Sequence, residues 1–270
     1  MLMPDLQLTR RIELHEAWSS AAHTEKQAQL YPETGSSVLW LNSGCAVYCG
    51  QNSPMNGVYG WGLDGPVPAV ELAAVQAFFR SRGLPVHINV SPLANPASLA
   101  LLGEHGYAVA EFMNVYARQL GPLGDTPATA AGVTIRVATE EETRLWFTRE
   151  GAGGDWAEPD GISFMTIRCT LKAGTRLFVA WVDGEPVGAG ALEVHEGVAA
   201  LMAASTLPAF RNQGIHAALL YARLSAAQEE GCDFAIVHTR PGAASQRNVL
   251  RTGFALMYTV AQLTSQPHSE

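Results

Sequence analysis

The second half of the chain alternates strand and helix patterns. Residues 133–138 (Val-Thr-Ile-Arg-Val-Ala) alternate as a half-buried strand does, and 140–151 and 160–172 read as helices. The apolar run 176–182 predicts a buried strand. Asp183-Gly184 then supplies the two positive-φ residues of a tight hairpin, leading into a strand over 186–195 and a third over 198–206. Ile215, Leu219, Ala222 and Ala226 recur at helical spacing and predict a helix from about 213 to 230, ended by Gly231 as a C-cap. A buried strand over 232–238, a short helix over 243–251 and a last strand from Gly253 to 263 complete the pattern.

The first half repeats part of this order. Strands are predicted at 36–50 and 57–62, a helix at 68–82 closed by Gly83, a strand at 85–91, a helix at 95–104, and a strand over Tyr107–Leu120. Gly106-Tyr107 and Gly253-Phe254 mark equivalent points, which points to an internal duplication. Residues 121–132 are small residues and prolines without periodicity and read as a linker. The expected domains are therefore 1–121 and 132–270, each a mixed α/β unit.

Composition narrows the function classes. The 270 residues are 47% hydrophobic and 16% charged, as in a globular protein. The net charge of −8 argues against nucleic acid or an anionic membrane as partner, because phosphates require clustered Lys and Arg. No membrane-spanning run and no secretion leader is read. The four cysteines, Cys45, Cys49, Cys169 and Cys232, form no Cys-x-x-Cys pair, which fits a reduced cytoplasmic protein. Cys45 and Cys49 have no His at ligand spacing, so no metal is expected.

The chemistry concentrates at Pro208-Ala-Phe-Arg211-Asn212-Gln213-Gly214-Ile215-His216-Ala217. A strand ends, Pro208 breaks it, and a helix begins. Helix starts leave backbone N–H groups unpaired and carry partial positive charge, so an anion fits there. Gly214 admits close approach to the backbone, and Arg211 adds charge. No Gly-Lys-Ser/Thr follows, so this is not a nucleotide P-loop. Gly188-Ala-Gly190 lacks a third glycine, position 193 being Glu193. These two glycines read instead as relief of crowding or a bulge.

Arg211-x-x-Gly214-x-His216, after a strand and opening a helix, resembles the acyl-CoA signature Gln/Arg-x-x-Gly-x-Gly/Ala of the GNAT acyltransferase superfamily. The resemblance covers about 132–263. His216 departs from it, standing where Gly or Ala is usual. The resemblance implies two tandem GNAT-like domains on mixed sheets. It also implies acetyl-CoA or another acyl-CoA as co-substrate. The backbone of Ala204, Ser205, Thr206 and Leu207 would pair with the pantetheine arm, and the amides of Arg211 through Ala217 would hold the pyrophosphate. Ser245 and Asn248 would face the pantetheine or its sulfur. Many members place a Tyr four residues before the Gly of Gly-Phe as acid for the leaving thiolate; here that position is Val249. The first half matches the same block as Asn95-x-x-Ser98-x-x-Leu101-Leu102-x-x-x-Gly106-Tyr107 but has no Arg-x-x-Gly turn. It reads as a degenerate copy that shapes the substrate cleft.

Acylating an amine needs a base, an oxyanion donor and an acid for the thiolate. Glu193 and His195, on one face of a strand by period two, are candidate bases. Tyr258 is a candidate replacement acid, and the N–H near Thr206 a candidate oxyanion donor. Asp155, Trp156 and Glu158 lie in a loop that, by the resemblance, borders the acceptor site. The acceptor would be a small-molecule or peptide amine. The leading expectation is an N-acyltransferase, most simply an acetyltransferase. The alternatives are a non-catalytic acyl-CoA-binding regulator or sensor, and an interaction protein without ligand.

Overall fold

The computed structural model describes residues 3–124, 127–148 and 162–265. Two compact units emerge, and they interleave in sequence. One holds Tyr116–His238 and Ala244–Ala255. The other holds Met3–Val115, Thr239–Ala243 and the residues from Leu256 onward. Sequence order alone suggested consecutive domains. Instead, the chain's last strand belongs with the first unit.

The second unit is a mixed sheet. It contains the end of β5 (Tyr107–Gln119), β6 (Thr134–Val137), β7 (Arg176–Val182), β8 (Glu185–His195), β9 (Val198–Thr206) and β10 (Phe234–Thr239). The spatial order is β5-β10-β9-β8-β7-β6. Strands β6 to β9 are joined antiparallel, and β10 lies parallel to β9. The predicted hairpin is present, with Asp183 at φ 51° and Gly184 at φ 82°. Helix α4 (Glu140–Thr148) starts on a capping box. The Thr139 hydroxyl accepts from the Glu142 amide at 3.2 Å, and the Glu142 carboxylate accepts from the Thr139 amide at 2.9 Å. Trp146 of α4, with Leu171 of α5 (Ile162–Lys172), packs on one sheet face against Leu177, Val179, Ala189 and Ala191.

Helix α6 (Ile215–Glu229) covers the other face, packing Ile215, Leu219, Leu220, Leu224 and Ala227 onto Phe178, Ala180, Leu192 and Ala199. Its close seat depends on Gly188. A Cβ there would stand 3.0 Å from Ile215 Cγ2 and 3.2 Å from Leu219 Cδ1. Burying each large aliphatic side chain of this face contributes about 1.5–3 kcal/mol. Helix α7 (Ala244–Arg251) completes the unit.

The first unit holds α1 (Leu6–Leu30), β1 (Ser37–Trp40), β2 (Cys45–Tyr48), β3 (Gly57–Tyr59), α2 (Ala69–Arg80), β4 (His87–Val90), α3 (Pro96–Glu104) and the start of β5. Its strand order is β1-β2-β3-β4-β11, where β11 (Ala255–Ser265) pairs antiparallel with β4 through Ala261–Thr264. The single strand expected over 36–50 is a hairpin. It turns at Gly44, whose φ is 94° and whose Cβ would meet the Tyr59 carbonyl oxygen at 1.9 Å.

Helix α1 has no counterpart in the sequence reading. Its start is capped by Asp5, which accepts from the Leu8 amide at 2.7 Å. Its buried face carries Thr9, Glu13, Ser20, Thr24 and Gln27 among the apolar residues. Glu13, Thr24 and Gln27 have bonding partners, whereas the Thr9 hydroxyl finds none among the described residues. Gln27 donates to the Cys49 carbonyl at 2.7 Å, the Cys45 thiol donates to the Ala17 carbonyl at 3.2 Å, and Tyr258 of β11 donates to Glu13 Oε1 at 2.9 Å. No helix among the described residues is long and apolar enough to cross a membrane.

Candidate acyl-CoA site

Strands β9 and β10 pair only at Val198–Ala200 with Phe234–Ile236, although β9 continues to Thr206. Beyond Ala200, β9 keeps its ladder with β8 but no longer pairs with β10. The Leu207 amide donates to the Val187 carbonyl of β8 at 2.9 Å. Backbone groups of successive strand residues alternate in direction, so the Thr206 and Ala204 amides point to the opposite, open edge. Ala203 and Ala204 are exposed there. The Thr206 hydroxyl is buried and finds no partner among the described residues.

The open edge leads into the turn. Arg211 is exposed, and its Nε donates to the Thr206 carbonyl at 3.2 Å. Asn212 and Gly214 both have left-handed backbones, φ 62° and 79°. Left-handed residues turn successive N–H groups toward one side, which makes an anion-binding hollow. The first amide of α6 to find an acceptor is that of Ala218, which donates to the Gly214 carbonyl at 3.0 Å. Among the described residues, the amides of Asn212, Gln213, Gly214, Ile215, His216 and Ala217 donate to nothing. That run of donors at a helix start matches what a pyrophosphate requires. His216 is half-buried. Burial, and then the charge of Arg223, lower its pKa, so the imidazole is neutral at pH 7.

The glycine has a second role that spacing alone does not show. The linker runs over the turn. The Ala130 amide donates to the Gln213 carbonyl at 3.2 Å, and the Ala128 carbonyl oxygen lies 2.3 Å from where a Cβ on Gly214 would stand.

The remaining candidates fall in different places. Glu193 is 2% exposed and accepts from the Thr175 hydroxyl at 3.1 Å. It pairs across the ladder with Ala200, the residue at which β9 and β10 part. His195 is half-buried two residues further on, opposite Val198. Ser245 is exposed and Asn248 half-buried on α7, while Val249 is packed in the core beside Phe254. Tyr258 belongs to the first unit, where its hydroxyl donates to Glu13. Asp155, Trp156 and Glu158 lie outside the described residues. Among the described residues no cluster of His, Cys, Asp or Glu could hold a metal ion.

The equivalent point of the first unit, residues 60–68, is filled by its own side chains. Trp61, Leu63 and Val67 are buried, the Val67 amide donates to the Ser98 hydroxyl at 2.9 Å, and the Gly62 carbonyl accepts from the Asn95 amide at 2.8 Å. Glu71 stands in the first turn of α2, where a carboxylate repels an anion.

A strand that parts from its parallel neighbour and a helix start with free amides thus lie side by side in the second unit. Residues 139–254 match the acetyltransferase (GNAT) family. The fold is similar to that of a GCN5-related N-acetyltransferase from Kribbella flavida, with TM-score 0.64 and 21% identity over 91% of this chain and 96% of that one. A tandem GNAT protein from the clavulanic acid biosynthesis pathway aligns with TM-score 0.60 and 15% identity over 84% of this chain and 75% of that one. A GCN5-related N-acetyltransferase from Sphaerobacter thermophilus aligns with TM-score 0.59 and 16% identity over 85% and 75%. No curated protein matches the sequence.

Proposed function

We propose that the protein is an acyl-CoA-dependent N-acyltransferase, most simply an acetyltransferase, acting on a small-molecule or peptide amine. The observation that carries this is the run of unsatisfied amides from Asn212 to Ala217 continuous with the open edge of β9. In this reading those amides and Arg211 hold the pyrophosphate. Ala204 to Leu207 receive the pantetheine arm, and the buried Thr206 hydroxyl gains the partner it lacks. Ser245 and Asn248 flank the arm. Acyl-CoA supplies the activated thioester, and the outward Thr206 amide donates to the carbonyl oxygen as negative charge develops there. Glu193, level with the strand junction, is the favoured base, relayed through water because of its burial; His195 is the alternate. Asp155, Trp156 and Glu158 remain the proposed acceptor contacts. The first unit is proposed as a copy that no longer holds the cofactor. The four buried free thiols fit a reducing cytoplasm.

Binding of acetyl-CoA measured by calorimetry, followed by CoA release against a panel of amines, tests the proposal. No binding of any acyl-CoA would sink it. The core position of Val249, where a thiolate acid is usual, favours one second reading, an acyl-CoA sensor without turnover. A single productive acceptor would end that reading.

A further inference from the structure

Helix α6 carries one residue that neither the signature nor its amphipathic pattern accounts for. Ile215, Leu219, Arg223 and Ala227 follow one another at intervals of four along the buried face, so Arg223 occupies a core position. It is 2% exposed, and no carboxylate among the described residues pairs with it. An arginine buried without a counter-charge is costly and persists only when its donors are well used. Here Nε donates to the Leu219 carbonyl at 3.0 Å. One terminal nitrogen donates to the Ala191 carbonyl at 3.2 Å and the Met202 carbonyl at 3.4 Å.

Those two carbonyls flank a break in the β8–β9 ladder. Ala191 faces Met202 and Ala189 faces Ser205, so Gly190 alone stands opposite Ala203 and Ala204. This is a β-bulge, and Ala203 adopts φ 50° within it. The guanidinium lies on Gly190 itself: a Cβ there would stand 2.6 Å from Arg223 Cζ. Arginine thus replaces the ladder bonds that the bulge removes. The bulge in turn sets the course of β9 from Ala203 to Thr206, the edge that β10 leaves open.

We propose that Arg223 is a positioning residue for the acyl-CoA arm. From the third turn of α6 it clamps the bulge that aims the open edge of β9, while the first turn of the same helix presents the phosphate-binding amides. The inference rests on the acyl-CoA reading of this unit. It requires that Arg223 act on the pantetheine end of the ligand and not on the phosphate end.

Calorimetry with two probes separates these ends: acetyl-CoA, and 3′-phospho-ADP, which keeps the phosphates but lacks the pantetheine. In Arg223→Met, acetyl-CoA affinity is expected to fall about tenfold, the equivalent of one to two lost hydrogen bonds, with 3′-phospho-ADP within about twofold of the parent. If an acceptor is in hand, kcat is expected to fall about 10²-fold, as for a misplaced reacting group. Gly190→Ala keeps the charge but displaces the guanidinium. It is expected to give the same split, and it decides the matter if Arg223→Met does not fold. Equal loss for both probes, or no loss for either, overturns the proposal. Failure of the parent protein to bind either probe overturns instead the acyl-CoA reading on which it rests.

Discussion

Glu13 makes the stability of the first unit depend on pH in a direction opposite to that of most carboxylates. Its side chain is buried on α1, and its Oε1 accepts from Tyr258 of β11 at 2.9 Å. Burial, reinforced by the nearby charge of Glu16, pushes its pKa from 4.5 up to about 8, while the bond from Tyr258 acts in the opposite sense. A carboxyl whose pKa is higher folded than unfolded binds its proton more tightly in the native state. The stability it confers is fully present below about pH 4.5 and declines as pH rises through about 8. At 1.36 kcal/mol per pH unit, the interval from 4.5 to about 8 caps the loss at about 5 kcal/mol.

Glu13→Gln removes the titration but keeps an oxygen for the Tyr258 hydroxyl. Its new amide nitrogen costs about 1–3 kcal/mol where no acceptor meets it. The two stability curves are therefore expected to cross. The variant should be weaker near pH 5 and stronger near pH 8, by about 2–4 kcal/mol at the alkaline end. Urea unfolding of both proteins at pH 5, 6.5 and 8 measures this, and the difference between them isolates Glu13 from every other titrating group. Parallel curves would refute the reasoning, since they would mean that Glu13 titrates alike in the folded and unfolded chain.

Three further outcomes follow from the second unit. Gly214→Ala places a side chain at φ 79°, which costs about 1–2 kcal/mol, and drives it into the Ala128 carbonyl. The melting temperature should fall and acetyl-CoA binding should weaken more than about tenfold by calorimetry; unaltered affinity would remove the turn from the phosphate site. Glu193→Gln should lower kcat about 10²-fold or more while leaving acetyl-CoA affinity unchanged, and full activity in steady-state assays would exclude Glu193 as base. Val249→Tyr restores the residue type usual in the family, but at a core position. It should destabilise the protein by about 1–3 kcal/mol in urea melts without raising turnover, and a gain in kcat would show that the position reaches the site after all.

The second unit was largely legible because its signals are local. Asp183-Gly184 announced a hairpin, Gly231 closed a helix, and the predicted span 213–230 differs by one or two residues from Ile215–Glu229. The turn at Arg211–His216, proposed to hold the phosphates, was legible for the same reason. Its donors are backbone groups made available by a helix start, and helix starts leave marks in sequence. Helix α1 left none. The buried face that should have produced a clean stripe is interrupted by Thr9, Glu13, Ser20, Thr24 and Gln27, and partners far along the chain, Cys49 for Gln27 and Tyr258 for Glu13, make part of that burial tolerable. Asp5 and the absence of Gly and Pro over residues 6–30 were the signals present. Arg223 was invisible for a related reason. A charged residue at a core position contradicts the stripe it belongs to until the carbonyls of Ala191 and Met202 are seen. The place of β11 beside β4 is a pairing between distant segments, which periodicity within one segment does not encode.

The two units share a strand arrangement but differ at the loop proposed to hold the cofactor. Both bring a parallel strand against the end of an antiparallel hairpin, at Val58 with Ile88 in one and at Val198–Ala200 with Phe234–Ile236 in the other. Both then cross over through a helix. In the first unit the connecting loop is occupied by its own chain: Trp61, Leu63 and Val67 fill it, Ser98 takes the Val67 amide, and Glu71 places a negative charge in the first turn of the helix. In the second unit the same stretch keeps six amides that find no acceptor among the described residues, beside the part of β9 that does not pair with β10 and the Thr206 hydroxyl, which finds no partner there either. Buried or half-buried donors left in this way lower the stability of the empty protein, and a ligand that satisfies them returns that energy as affinity. The difference between the units thus lies in the side chains that fill the loop and in the charge at the helix start. Acetyl-CoA should accordingly raise the melting temperature of the whole chain through the second unit, and the Gly214→Ala substitution should abolish most of that rise.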